Sequence, residues 1–283
     1  MRRLPLLLIL AGAALLGIAP VGGASALLAA APSGDFSLGG VPCDLISVDV
    51  ATPVGAAQTC PGVRPGAIVV SETGQCTLNF LFQGSDGRRY IGTAGHCILE
   101  ANPIGGQAPE TTWVPGTGPE ASDADGNRIG EFAYAILEDP KDFALIRLDP
   151  GVASDPQMCH FGGPTGINDD TPGLFEPVVL QQYGNGIGIG TVLPARSMVA
   201  LGMPDRDHVY AQGLVLPGDS GSGVISDDGR AVGVAVTTGI HSSSIGTSGI
   251  DAGEVGITRL QPQLDQAQSV LGIRLDLLTA PTL

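Results

Sequence analysis

The stretch YIGTAGHCIL, residues 90–99, begins as a strand and ends on a chemically capable pair. Tyr90–Thr93 is a short run of strand-forming residues, and the small residues Ala94 and Gly95 stop it just before His96 and Cys97. Runs of the same kind recur along the chain: Ile68–Val70, Leu78–Phe82, Ile129–Leu137, Phe143–Leu148, Val178–Gln182, Ile187–Leu193, Val209–Val215, Gly223–Ser226, Ala231–Thr237 and Gly256–Leu260. They are rich in Val, Ile, Leu and Phe and are separated by Gly, Pro, Asp or Asn, which predicts about a dozen antiparallel strands. The 283 residues include 43 Gly and 22 Pro, and turn dipeptides such as Asp86-Gly87, Asp125-Gly126 and Asp228-Gly229 fall between the runs. Only the C-terminus departs from this pattern. Leu260, Leu264, Ala267 and Leu271 stand at helical spacing, so one terminal helix packed on a double barrel or sandwich is expected.

The first residues read as a targeting segment. Arg2 and Arg3 precede an uncharged apolar run from Leu4 to Ile18, and Ala24-Ser25-Ala26 supplies small residues for cleavage, so residues 1–26 are expected to be a signal peptide. An uncleaved membrane anchor is the alternative, but Pro20, Gly22 and Gly23 interrupt the run. Residues 27–61 are turn-rich and carry Cys43 and Cys60, as an N-terminal arm or short pro-segment would. Export makes the five cysteines, Cys43, Cys60, Cys76, Cys97 and Cys159, a disulfide question, and five is odd. The net charge is −15, and the signal's only charges are basic, so the mature chain is more acidic still. That balance opposes nucleic acid and anionic membranes as partners.

A nucleophile for His96 is offered by LPGDSGSGV, residues 216–224, where Ser220 lies among Gly218, Gly221 and Gly223. A serine hydroxyl needs a base to take its proton, and the oxyanion it creates needs backbone N–H groups held in a tight turn. Taken alone, Gly218-Asp219-Ser220-Gly221 reads better as a plain hairpin turn. A carboxylate should orient the imidazole. Among the aspartates between His96 and Ser220, only Asp142 heads an apolar strand, in KDFALIRL; Asp123, Asp125, Asp139, Asp169 and Asp170 stand in turn-like contexts, and a calcium loop at Asp123–Asn127 is conceivable.

Thr93-Ala94-Gly95-His96-Cys97, Asp142-Phe143-Ala144-Leu145 and Gly218-Asp219-Ser220-Gly221 together resemble the chymotrypsin-like serine proteases, especially their secreted bacterial, streptogrisin-like branch. The resemblance covers about residues 62–275 and implies an all-β protease domain over 62–283. That domain would hold two six-stranded antiparallel β-barrels and a C-terminal helix, with His96 and Asp142 from the first barrel and Ser220 from the second. It also implies a Cys76–Cys97 bridge, an oxyanion hole from the N–H groups of Gly218 and Ser220, and a specificity pocket with Leu214 near its floor and Gly239 and Gly256 as walls. With no carboxylate at that floor, an apolar pocket is expected. A monomer acting on polypeptides, with neither metal nor cofactor, completes the picture.

The match has departures. Ser222 replaces a glycine common in the family, and no cysteine follows Cys159 to brace the serine loop. Of the remaining Cys43, Cys60 and Cys159, Cys43 is expected to pair with Cys60. RPGAIVV, residues 64–70, only faintly resembles the animal enzymes' activation site, so Asp219 is expected to rest on a buried arginine or backbone N–H groups. His160, His208 and His241 read as surface histidines. An esterase elbow would need Gly at 222, where Ser222 stands, and a histidine after the serine, for which His241 is the one available; the helices of that fold are lacking. A binding module that kept the fold without catalysis is the other alternative. Zinc would want further ligands near His96-Cys97, and YGNGIGIGTV, residues 183–192, misses the spacing of a dinucleotide loop.

Overall fold

In the computed structural model, the described residues are 60, 62–99, 109–169, 177–186, 193–200, 206–242 and 248–283, with two short strands at 37–38 and 41–42; within 237–254 only strand pairing is described. The expected signal peptide, Cys43, the Ile187–Leu193 run up to residue 192 and the His241 side chain lie outside the described residues.

The first described elements are paired β1 (Ser37–Leu38) and β2 (Val41–Pro42). Then follow β3 (Ile68–Ser71), β4 (Gly74–Thr77), β5 (Leu81–Gly84), β6 (Arg89–Thr93), β7 (Glu110–Thr112), β8 (Glu120–Ser122), β9 (Arg128–Glu138) and β10 (Lys141–Leu148). The second half holds β11 (Val178–Tyr183), β12 (Ala195–Ala200), β13 (His208–Gln212), β14 (Gly223–Ser226), β15 (Ala231–Ser242) and β16 (Ser248–Arg259). Helix α1 (Leu260–Leu271) and β17 (Leu275–Leu277) end it.

Strands β11 to β16 close a six-stranded barrel in the order β11-β12-β13-β16-β15-β14, as expected. The first half differs from the six strands expected. It forms a nine-stranded sheet ordered β17-β5-β6-β10-β9-β8-β3-β4, with β7 also on β9. The extra strands have two causes. Strand β9 is 11 residues long, so one of its edges takes β8 along Arg128–Glu131 and β7 along Tyr134–Ile136, end to end. Helix α1 returns the chain to the first sheet, where β17 pairs with β5.

Apolar runs built these layers. Strand β10 is buried at every residue after Lys141, and Phe82, Ile91, Phe132, Phe143, Leu145 and Ile146 are fully enclosed in the first sheet's core. Each such side chain contributes roughly 1.5–3 kcal/mol. Leu180, Met198, Val209, Val224, Val255 and Ile257 fill the second barrel. Helix α1 buries Leu260, Leu264 and Ala267 at the expected spacing, together with Gln263, and Gly272 ends it in the left-handed conformation with its N–H on the Gln268 carbonyl.

Two disulfides are present among the described residues. Cys76 pairs with Cys97, as the resemblance implied. Cys60 pairs with Cys159 and not with Cys43, which corrects the expectation: the first sheet's entry loop lies against the segment that follows β10, where Val63 bridges Ser154 and Pro65 accepts from the Cys159 N–H.

Candidate active site

His96 occupies a single 3-10 turn, Gly95–Cys97, directly after β6. The turn packs so tightly on β9 that a Cβ at Gly95 would overlap the Ile136 carbonyl oxygen, which is why a glycine precedes the histidine. Strand β10 runs antiparallel to β6 with Ala144 opposite Thr93, so Asp142, two residues upstream of Ala144, comes level with the histidine turn. Both carboxylate oxygens are then used. Asp142 Oδ2 lies 2.6 Å from His96 Nδ1, and Oδ1 accepts the His96 backbone N–H at 2.9 Å. Burial pulls the His96 pKa down, but the hydrogen bond and charge of Asp142 outweigh it, and the pKa lies above the ordinary 6.5. The imidazole stays 31% exposed, and Nε2 is the ring nitrogen left for proton transfer.

Ser220 lies between β13 and β14, and the first sheet holds its loop against the histidine turn. Thr77 donates its N–H to the Ser220 carbonyl at 2.8 Å, and Cys97 Sγ lies 3.9 Å from that same oxygen. Gly221, at φ +88°, sits where a Cβ would overlap Thr93 Oγ1 and come within 2.7 Å of the Ala94 nitrogen. Sequence motifs 124 residues apart are therefore neighbours, with Ser220 beside the turn that carries His96.

Asp219 is fully buried and carries three hydrogen bonds: from Arg196 at 2.5 Å, from the Gly186 N–H at 2.6 Å and from the Leu216 N–H at 2.8 Å. Its carboxylate thus rests on a buried arginine and on backbone N–H groups. The N–H groups of the loop divide into two sets. Those of Asp219, Gly221 and Ser222 bind the carbonyls of Leu216, Ala235 and Asp219, while those of Gly218 and Ser220 meet no acceptor among the described residues.

The remaining sequence readings fall as follows. Leu214 is 40% exposed after β13, Gly256 pairs with Tyr210 and Thr237 on β16, and Gly239 lies on the neighbouring β15. Asp123 takes the N–H groups of Asp125 and Asn127 and the Asn127 side-chain amide, so its carboxylate closes its own turn. Cys76, His96 and Cys97 bring ligand atoms within 4.8 Å of one another, but the two sulfurs are bonded to each other and offer no thiolate to a metal. No described helix is long and apolar enough to cross a membrane. The motifs do not single out Arg196, Thr77 or Asn79. Arg196 alone left a signal, being the one charge in the run ARSMVA of a chain with 13 basic residues, where a buried cation demands a partner.

No family model matches the chain, and no curated protein matches it. Among solved structures, Protease A of Thermobifida fusca superposes with a TM-score of 0.50 at 15% identity, over 77% of this chain and 100% of that one. The fold is chymotrypsin-like. Nocardiopsis protease is similar at a TM-score of 0.49 and 17% identity, over 76% of this chain and 98% of that one. Cellulomonas bogoriensis chymotrypsin is similar at 0.48 and 17%, over 75% and 97%. On the chymotrypsin-like fold, the first sheet carries His96 and Asp142 and the second barrel's β13–β14 connection carries Ser220.

Proposed function

We propose that the chain is a secreted serine endopeptidase of the chymotrypsin-like family, working through Ser220, His96 and Asp142. The observation that carries this reading is the grip of both Asp142 oxygens on His96, in a turn against which the Ser220 loop packs. His96 Nε2 takes the Ser220 proton as Oγ attacks a peptide carbonyl, then gives it to the leaving amine. Asp142 holds the ring tautomer and stabilises the imidazolium. The Gly218 and Ser220 N–H groups, left without acceptors among the described residues, receive the oxyanion, each donor contributing about 3 kcal/mol in related chemistry. Water then hydrolyses the acyl-enzyme. Two disulfides fit an oxidising exterior.

The specificity pocket is proposed at Leu214, Gly239 and Gly256, accepting uncharged side chains. A fluorophosphonate probe tests the chemistry: it should label the purified mature chain and leave Ser220→Ala unlabelled, and no uptake by the wild type would end the hydrolase reading. Cleavage of a mixed peptide library tests the pocket, and preference for Lys or Arg at the cleaved residue would overturn it.

A further inference from the structure

Bonds within the serine loop shape its turn, and the segment Thr77–Asn79 of the first sheet holds three of its carbonyls from outside. The Thr77 hydroxyl donates to the Gly218 carbonyl at 2.7 Å, the Thr77 N–H to the Ser220 carbonyl at 2.8 Å, and the Asn79 side-chain amide to the Gly221 carbonyl at 3.0 Å. Thr77 and Asn79 are both fully buried. Asn79 is itself fixed, since its Oδ1 accepts the Phe80 N–H at 2.6 Å and its own N–H binds the Gly92 carbonyl at 2.8 Å. The Thr77 hydroxyl also accepts the Asn185 N–H at 3.2 Å, next to Gly186, whose N–H binds Asp219.

A trans peptide is planar, with C=O and N–H pointing opposite ways, so pinning a carbonyl aims the N–H of the next residue. Holding Gly221 O aims the Ser222 N–H, which binds the Asp219 carbonyl at 3.0 Å. Holding the Asp219 carbonyl in turn aims the Ser220 N–H away from it, toward the side where no acceptor is met among the described residues. Likewise, holding Gly218 O aims the Asp219 N–H at Leu216 and fixes the peptide that follows the other free donor.

We infer that Thr77 and Asn79 are positioning residues for the oxyanion hole, setting the direction of the Ser220 N–H and fixing the peptide that follows the Gly218 N–H from across the barrel boundary. The inference rests on the endopeptidase reading above. It adds that the second barrel's donors are aligned by side chains of the first sheet, so the hole is assembled only when the two halves are docked. Residues 76 and 77 serve both sides at once: Cys76 is bonded to Cys97 beside the base, and Thr77 is bonded to the loop of the nucleophile.

The test compares Thr77→Val, Thr77→Ser and Asn79→Ala with the wild type, each kcat normalised to the fraction of sites that a fluorophosphonate finally titrates. Losing one oxyanion donor costs about 100-fold or more in kcat, so misaimed donors in Thr77→Val and Asn79→Ala should cost roughly 10- to 100-fold, with KM within about threefold. Affinity for a peptide aldehyde, which forms a tetrahedral adduct, should fall in step, and Thr77→Ser should recover to within about threefold of wild type. If Thr77→Val and Asn79→Ala turn over like the wild type, the inference is wrong while the endopeptidase reading stands; if the wild type takes up no probe, the reading itself fails. Amide hydrogen exchange on the wild type decides the matter should the variants not fold. The Gly221 and Ser222 amides should be protected and those of Gly218 and Ser220 exposed to exchange, and rapid exchange at Ser222 would overturn the inference.

Discussion

Asp142 engages His96 twice, through the ring Nδ1 at 2.6 Å and through the backbone N–H at 2.9 Å, so one carboxylate sets both the orientation of the imidazole and the fold of the turn that carries it.

That double contact predicts a pH profile. Burial lowers the His96 pKa and Asp142 raises it further than burial lowers it, so kcat/KM should climb with pH through an inflection above 6.5 as the base loses its proton. Asp142→Asn removes the raising influence, so the inflection should drop, and kcat should fall about 10⁴-fold because the wrong tautomer is held. Linkage runs the other way for stability. The pair stabilises the fold fully below 6.5, and that contribution fades as pH rises through the folded-state pKa, which thermal unfolding of Ser220→Ala across pH measures.

The two disulfides should separate stability from activity. Cys60–Cys159 closes a span of 99 residues and Cys76–Cys97 one of 21, so removing them should cost about 4.7 and about 3 kcal/mol in the chain-entropy picture. Activity should follow the opposite order, because Cys97 is adjacent to His96 and Cys76 is adjacent to Thr77. Denaturant unfolding and kcat/KM of the two paired Cys→Ala variants check both rankings.

Arg196→Met leaves the Asp219 carboxylate buried with only two backbone donors. Removing one partner of a buried pair typically costs about 3–5 kcal/mol. Unfolding of the variant should show a loss of that size, and a loss under 1 kcal/mol would mean the loop relaxes to let water reach Asp219.

Gly221→Ala should strike the contact between the two loops. Its φ of +88° disfavours any side chain, at roughly 1–2 kcal/mol, and the new methyl meets Thr93 and Ala94 just ahead of the histidine turn. Ser220 should be pushed from His96, with kcat down about 100-fold for an error of about 1 Å in position, while binding of a non-reactive peptide changes little. Single-turnover kinetics would show the loss in the acylation step.

Much of the fold was legible because its signals are local. The run Gly223–Ser226 coincides with β14, and the runs at Ile129–Leu137 and Phe143–Leu148 lie within β9 and β10. Strands β12 and β17 leave no strand pattern for local reasons as well: ARSMVA mixes small and polar residues, and LDL is three residues long in a stretch whose pattern is helical. The apolar run Val209–Val215 overshoots its strand, since β13 ends at Gln212 and Leu214 turns out to solvent.

Residue type and spacing by themselves determined the all-β class, the terminal helix, and His96, Asp142 and Ser220 as chemically capable groups. Hydrophobic period reports which face is buried, and Gly and Pro report where the chain turns. Tertiary structure alone decided that Cys159 meets Cys60, that Arg196 is the arginine under Asp219, and that Thr77 and Asn79 hold carbonyls 141 and 142 residues away. The reason is physical: each of these is a buried sulfur or polar group satisfied by a distant partner, and packing chooses that partner from among many of the same chemical type.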